Sequence, residues 1–91
     1  MIYFISESKA SFLISGSQLR CARALLGLSA KELAELSGVG WATLQRFETQ
    51  DGIPDSRSGT LDKVRAALEA QGIEFLGDPE TSPGVRLRRK T

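Results

Sequence analysis

The chain has 91 residues, with 12 lysine and arginine residues against 11 aspartate and glutamate residues and a net charge of +1. A chain of this length is expected to form one small domain that buries roughly 60–65% of its unfolded surface, too little for a deep enzyme cleft. It has no histidine and one cysteine, which excludes a Cys/His zinc site, a Ser-His-Asp triad and an internal disulfide.

Residues 1–15 are rich in serine and carry two apolar patches without helical spacing, so we expect an N-terminal arm or strand. Neither patch approaches the ~20 apolar residues of a membrane span, and no basic region precedes them as in a signal peptide. The single cysteine gives no indication of an oxidising compartment. We therefore predict a cytoplasmic protein that does not associate with membranes.

Residues 16–72 have the spacing of a helical domain. Ser17 is the predicted cap of the first helix, which ends at Gly27 because glycine adopts the left-handed conformation at low cost. Ser29 and Glu32 form a capping box, in which each side chain accepts a hydrogen bond from the other residue's amide, and this pattern predicts the start of a second helix.

A third helix is predicted to start near Gly40, and a loop rich in turn-forming residues follows it. Thr60 is the predicted cap of a fourth helix, which ends at Gly72. The apolar spacing of the four helices predicts a common core made of Leu19, Ala22, Leu26, Leu33, Ala34, Val39, Leu44, Phe47, Leu61, Val64 and Leu68.

Residues 73–91 are predicted to form a β-hairpin and a basic tail. Residues 73–76 and 85–88 both alternate apolar and polar side chains, and turn-forming residues separate them. Antiparallel pairing would bring Glu74 close to Arg86 or Arg88. The cluster of Arg86, Arg88, Arg89 and Lys90 either holds phosphates or only keeps the end of the chain soluble.

The most informative stretch is residues 30–48, in which two short helices are joined by a tight turn. Ala34 is small enough for two helices to cross closely, and Gly38, four residues later, can turn the chain at positive φ. Leu44 and Phe47 then place the second helix of the pair on the core. This combination is typical of a helix-turn-helix in a mostly α, small helical bundle.

Four stretches share the sequence pattern of one known family: Leu26-Gly27-Leu28-Ser29, Glu32-Leu33-Ala34, Ser37-Gly38-Val39 and Thr43-Leu44-Gln45-Arg46-Phe47-Glu48. The segment from Gln18 to Leu68 resembles the phage repressor and Cro-like helix-turn-helix family, also called the xenobiotic-response-element family of bacterial regulators. The resemblance implies a bundle, usually of five helices, and dimers that bind operator DNA. It also implies a structural ion pair between Arg23 and Glu48.

The resemblance makes the third helix the one that reads base edges in the major groove of double-stranded DNA. Arg46 can contact guanine and Gln45 adenine, each through two hydrogen bonds. Lys31 and the N-terminal amides of the second and third helices can hold phosphates. Arg57 lies where the family often contacts the DNA backbone. The predicted DNA-binding residues are thus Lys31, Gly40, Trp41, Ala42, Thr43, Gln45, Arg46, Thr49 and Arg57.

The sequence departs from the family at two of these helix starts. Gly40 stands where serine or threonine often caps the reading helix, and Ala30 stands where the family commonly has a backbone-contacting glutamine. Trp41 is large for a residue that faces a groove. It either contacts sugars and thymine methyl groups or packs against the corner between the second and third helices.

These observations predict a DNA-binding transcriptional regulator of repressor type, without catalytic activity, cofactor or metal. A homodimer is expected because one such unit reads only a few base pairs. The hairpin, the N-terminal arm or both could join the two copies, with residues 2–5 as an added strand. The alternative is an antitoxin or interaction module that sequesters a partner protein such as a toxin. Leu25 and Leu36 fall off the core face of their helices and, together with the N-terminal apolar patches, could mark either a subunit surface or a partner surface.

Overall fold

The computed structural model describes residues 13–55 and 59–89, and within them the chain is mostly helical, as predicted. The described part has four helices, one fewer than is usual in the family that the sequence resembles, and one hairpin. None of these helices is long and apolar enough to span a lipid bilayer. Arg57, Lys90 and the predicted strand at residues 2–5 lie outside the described residues. The elements are α1 (Gly16–Leu26), α2 (Ala30–Ser37), α3 (Trp41–Glu48), α4 (Thr60–Ala70), β1 (Ile73–Leu76) and β2 (Gly84–Leu87).

The cap of α1 is Ser15, so the prediction of Ser17 was wrong. The Ser15 hydroxyl accepts a hydrogen bond from the Gln18 amide at 3.2 Å, and the Gln18 side-chain oxygen accepts one from the Ser15 amide at 2.9 Å. Ser17 has an arginine three residues later and cannot form this reciprocal pair. Its hydroxyl instead donates to the Asp51 carbonyl at 3.1 Å.

The predicted C-terminal ends of α1 and α2 and the predicted start of α2 are confirmed. Gly27 and Gly38 follow these helices in the left-handed conformation, with φ of 70° and 74°. Ser29 and Glu32 form the expected capping box at the start of α2. The hydrogen bond from the Ser29 amide holds the pKa of the Glu32 carboxyl below its usual value.

The start of α4 differs from the prediction by one residue. Gly59, at φ 86°, occupies the cap position, and none of the described side chains caps the helix. Thr60, the predicted cap, is already helical because Gly59, in a left-handed conformation that glycine adopts at low cost, takes the cap position. The helix ends at Ala70, just before the predicted stop at Gly72.

One apolar core joins all six elements. Its buried members include every predicted core position except Leu26, which is only partly buried, and Ile14 and Ile73 extend it. The buried side chains are Ile14, Leu19, Ala22, Leu33, Ala34, Val39, Leu44, Phe47, Leu61, Val64, Leu68 and Ile73, and the partly buried Phe75, Val85 and Leu87 of the hairpin pack against them.

The hairpin is antiparallel, and β2 begins at Gly84, one residue earlier than predicted. Glu74 lies opposite Arg86 and accepts hydrogen bonds from both Arg86 and Arg88, which confirms the predicted charge pairing. The hydrogen bonds from Arg88 and then Arg86 lower the pKa of Glu74 to about 2.

The buried side chain of Gln18 connects α1 to the hairpin. Its amide nitrogen donates to the Leu76 carbonyl at 3.2 Å and to the Gly84 carbonyl at 3.0 Å. Its oxygen is used by the Ser15 amide, so the donors and the acceptor of this buried amide all have partners. The turn end of the hairpin is therefore fixed at the N-terminus of α1.

Gly16 lies where the start of α1 meets the chain that follows α3. Its N–H donates to the Gly52 carbonyl at 2.8 Å. A Cβ atom added at Gly16 would lie 1.8 Å from the Gln50 carbonyl oxygen and 2.6 Å from that of Phe47. The two segments can approach this closely only because residue 16 is glycine.

Gly16→Ala is expected to lower the free energy of unfolding by about 2 kcal/mol or more, because the added methyl group meets two backbone carbonyls. The sign of this change in the free energy of unfolding is informative, because at an unobstructed helical position alanine is more stabilising than glycine by up to about 1 kcal/mol. Urea unfolding followed by circular dichroism measures the difference.

Gly40→Ala is the matched control for this substitution. Nothing lies within 4 Å of a Cβ atom at Gly40. We expect the control to change the free energy of unfolding by less than about 1 kcal/mol. Equal losses from the two substitutions would contradict a specific close approach at Gly16.

Candidate nucleic-acid interface

α2 and α3 form a helix-turn-helix whose turn is residues 38–40. Ala34 is buried in the middle of α2, and its carbonyl accepts hydrogen bonds from the amides of Gly38 at 2.9 Å and Val39 at 3.2 Å. The small side chain of Ala34 and the positive φ of Gly38 thus have the positions that the sequence predicted. The turn delivers the chain into α3 with Val39 in the core.

α3 has one buried face and one exposed face. Leu44 and Phe47 are fully buried, and Glu48 retains only 8% of its exposure. Thr43 is partly exposed and Lys31, on α2, is exposed. The other predicted DNA-binding residues on α3 and at its two caps are all exposed to solvent. They are Gly40, Trp41, Ala42, Gln45, Arg46 and Thr49.

The C-terminal end of α3 is held by Arg20 of α1, whose role the sequence analysis missed. Its guanidinium donates to the Glu48 carbonyl at 2.6 Å and to the Gln50 carbonyl at 3.2 Å. It also forms an ion pair with Asp51 at 2.6 Å. A cation that binds the free carbonyls at a helix C-terminus stabilises it through both hydrogen bonds and the helix dipole. Arg20 lies about thirty residues before its partners along the chain, and only the tertiary fold brings them together. The apolar periodicity of the sequence therefore did not indicate this contact.

Arg23 and Glu48 form the ion pair that the family resemblance implies. The Arg23 Nη2 lies 2.9 Å from the Glu48 Oε1, and the Arg23 Nε lies 3.0 Å from the Glu48 Oε2, so the contact is bidentate. The remaining terminal nitrogen of Arg23 donates to the Leu28 carbonyl at 3.1 Å. Arg23 thereby joins α1 to α3 and to the turn before α2.

The N-termini of α2 and α3 differ in their capacity to hold an anion. Gly40 supplies no side-chain cap, so the first amides of α3 have no side-chain acceptor among the described residues. At α2, the Ser29 hydroxyl and the Glu32 carboxylate already occupy the helix start. The Glu32 charge opposes a phosphate there, which leaves Lys31 as the cation next to it.

The side chains on the exposed face of α3 differ in how freely they can move. Trp41 is 51% exposed, so half of its surface is not packed against the helix corner. The guanidinium of Arg46 donates to the Asp55 carbonyl at 3.3 Å and lies 5.4 Å from the Phe47 ring centre. The Thr49 hydroxyl donates to the Arg46 carbonyl at 2.8 Å. To contact a base, Arg46 has to exchange its solvent-exposed hydrogen bond to the Asp55 carbonyl, which costs little.

The chain matches no protein-family model, and no curated protein matches it either.

The Arg23–Glu48 pair is expected to couple α1 and α3 energetically. Arg23→Ala leaves a nearly buried carboxylate without its partner, so it should cost about 2–4 kcal/mol, more than Glu48→Ala. The double variant should recover about 1–3 kcal/mol relative to the sum of the single losses. Urea unfolding of the four proteins in this cycle measures the coupling.

The exposed pair Arg20–Asp51 supplies the control cycle, because the Asp51 side chain is 88% exposed. Its coupling is expected to be at most about 1 kcal/mol and to fall at high salt. Strictly additive losses for Arg23 and Glu48 would show that the pair does not join the two helices.

Proposed function

We propose that this protein is a DNA-binding transcriptional regulator of repressor type that reads double-stranded DNA through α3. The proposal rests on one observation about α3. The helix is buried on one face and bound at its C-terminus by Arg20 and Arg23, while its other face presents polar side chains to solvent. A helix of this kind fits the major groove, where base edges can be distinguished. The proposed regulator has no catalytic activity and acts in the cytoplasm by occupying promoter DNA.

The exposed residues of α3 suit base recognition. Gln45 has an amide that can pair with adenine through two hydrogen bonds, and the Arg46 guanidinium can do the same with guanine. Trp41 lies at the N-terminal end, which enters the groove first in such complexes, and its exposed ring can contact sugars or a thymine methyl group. Thr43, partly exposed, can reach a phosphate or a methyl group.

Among the described residues, the charge of this surface is nearly balanced. Lys31 and Arg46 are exposed, but so are Glu32, Glu35 and Asp55. Non-specific binding depends on the number of phosphates that cations neutralise, so each copy should bind random DNA weakly. Specific binding by this protein therefore depends more on base contacts and on the joining of two copies than on general attraction to phosphate.

The proposal is tested on the duplex that the protein enriches from a random-sequence pool. Arg46→Ala and Gln45→Ala should each weaken binding to that duplex by about tenfold to a hundredfold, since each removes a bidentate base contact. Arg46→Lys separates charge from shape: it should keep the salt dependence of the wild-type protein but lose discrimination at one guanine. Fluorescence anisotropy at several salt concentrations measures both quantities.

Gln71→Ala is the matched control for Gln45→Ala, because Gln71 is an exposed glutamine that follows α4. It should leave the affinity within about twofold. If Gln45→Ala and Arg46→Ala both bind the selected duplex as tightly as the wild-type protein at every salt concentration, α3 is not the reading helix. If no duplex is enriched over the starting pool, the proposed function is wrong.

A further inference from the structure

The first turn of α3 presents apolar surface to solvent rather than charge. Trp41 is 51% exposed, Ala42 is exposed, and the cap residue is a glycine, Gly40. None of residues 40–43 carries a charged side chain. Tryptophan is highly buried on average and is enriched where proteins bind partners, so its exposure here favours a ligand that offers the indole ring an apolar group.

This apolar turn is continuous with the residues that are proposed to read purines. Gln45 lies four residues after Trp41 and three after Ala42, so the three side chains are neighbours on one helix surface. Arg46 lies four residues after Ala42, and it is exposed like Gln45. A duplex that meets Gln45 and Arg46 in its major groove therefore also meets the apolar first turn.

The base edges of the major groove offer one apolar group, which is the C5-methyl group of thymine. Uracil and cytosine lack this methyl group, whereas 5-methylcytosine carries it at the same ring position. Apolar side chains, alanine among them, contact this methyl group in protein–DNA complexes. A helix that places apolar side chains against pyrimidines in this groove therefore distinguishes them by the methyl group.

The exposed face of α3 has no carboxylate with which to select cytosine. Aspartate and glutamate recognise cytosine by accepting a hydrogen bond from its amino group. The only acidic residue of α3 is Glu48, which is 8% exposed and whose carboxylate binds the Arg23 guanidinium at 2.9 and 3.0 Å. The first turn of α3 is therefore suited to the methyl group of a pyrimidine, and α3 offers no carboxylate to the amino group of cytosine.

We propose that Trp41 and Ala42 recognise the C5-methyl group of a pyrimidine, so that the protein selects thymine or 5-methylcytosine over uracil or unmodified cytosine at the position that faces the first turn of α3. The inference rests on the proposed function and adds a determinant to it. Contact with one methyl group changes the affinity by about threefold to tenfold. Where a binding site has cytosine at this position, methylation of that base strengthens binding.

The duplex enriched from the random-sequence pool tests this contact one methyl group at a time. Each thymine is replaced in turn by deoxyuridine, which removes the methyl group and leaves base pairing intact. At the position that faces Trp41, the replacement should weaken binding by about threefold to tenfold. With a cytosine–guanine pair at the same position, methylation at C5 should strengthen binding by a similar factor. Fluorescence anisotropy measures all of these affinities.

Trp41→Ala assigns the effect to the indole ring, and the variant is expected to fold because Trp41 is half exposed. This variant should bind the thymine and uracil duplexes with affinities within about twofold of each other, because the methyl group has lost its contact. Arg46→Ala should weaken binding to both duplexes by the same factor and so keep the difference between them. Circular dichroism checks that each variant is folded.

Leu25→Ala is the control for loss of an exposed apolar side chain, since Leu25 is 44% exposed on α1. It should leave the affinity for each duplex within about twofold of the wild-type value. Trp41 is the only tryptophan of the chain, so its fluorescence reports on this position without any substitution. Saturation with the enriched duplex should shield the indole ring from quenching by acrylamide.

Three results would overturn the methyl recognition. The first is an enriched duplex in which no uracil replacement weakens binding and no cytosine methylation strengthens it. The second is a thymine–uracil difference of unchanged size in Trp41→Ala. The third is an indole ring that acrylamide quenches equally with and without bound duplex. Any of these, together with loss of affinity in Gln45→Ala and Arg46→Ala, would refute the methyl recognition alone, whereas a pool that yields no enriched duplex would refute the proposed function itself.

Discussion

The structure depends on the contacts that α1 makes with the C-terminal end of α3. Gly16, Arg20 and Arg23 lie four and three residues apart, so they share one face of α1. Gly16 allows the backbones to meet, Arg20 binds the last carbonyl of α3 and the carbonyl of Gln50, and Arg23 binds the Glu48 carboxylate. Because these contacts hold α3 from its buried side and its C-terminus, the opposite face remains available to solvent.

The same helix also carries the hairpin. Ser15, Gln18 and Glu48 are the buried polar residues of the described chain, and all three belong to the contacts that α1 makes with its surroundings. A buried polar network is tolerated when its members have partners, and it then fixes relative positions more sharply than apolar packing does. The position of the hairpin relative to α3 is therefore set through one helix, α1.

The local features of the fold could be predicted from the sequence because each depends on a few neighbouring residues. The ends of α1 and α2 were predicted correctly from Gly27 and Gly38, and the start of α2 from the capping box at Ser29. The alternation of apolar and polar residues around Glu74 correctly predicted a strand. The cap of α1 was misplaced although Ser15 and Gln18 match the capping-box pattern, since the apolar spacing alone does not choose between Ser15 and Ser17. The roles of Gly16 and Arg20 had no local signal, because their partners lie about thirty residues away along the chain. The same holds for the contact of Arg46 with Asp55, which only the path of the loop after α3 creates.

The central claim is that the exposed face of α3 meets DNA, and an NMR titration tests it most directly. Amide and side-chain resonances of the ¹⁵N-labelled protein would be followed as the enriched duplex is added. We expect the largest shifts at residues 41–46, with the Trp41 indole and the Gln45 side-chain amide among them. A duplex that bound and shifted resonances elsewhere, while those of α3 stayed unchanged, would contradict DNA reading by α3.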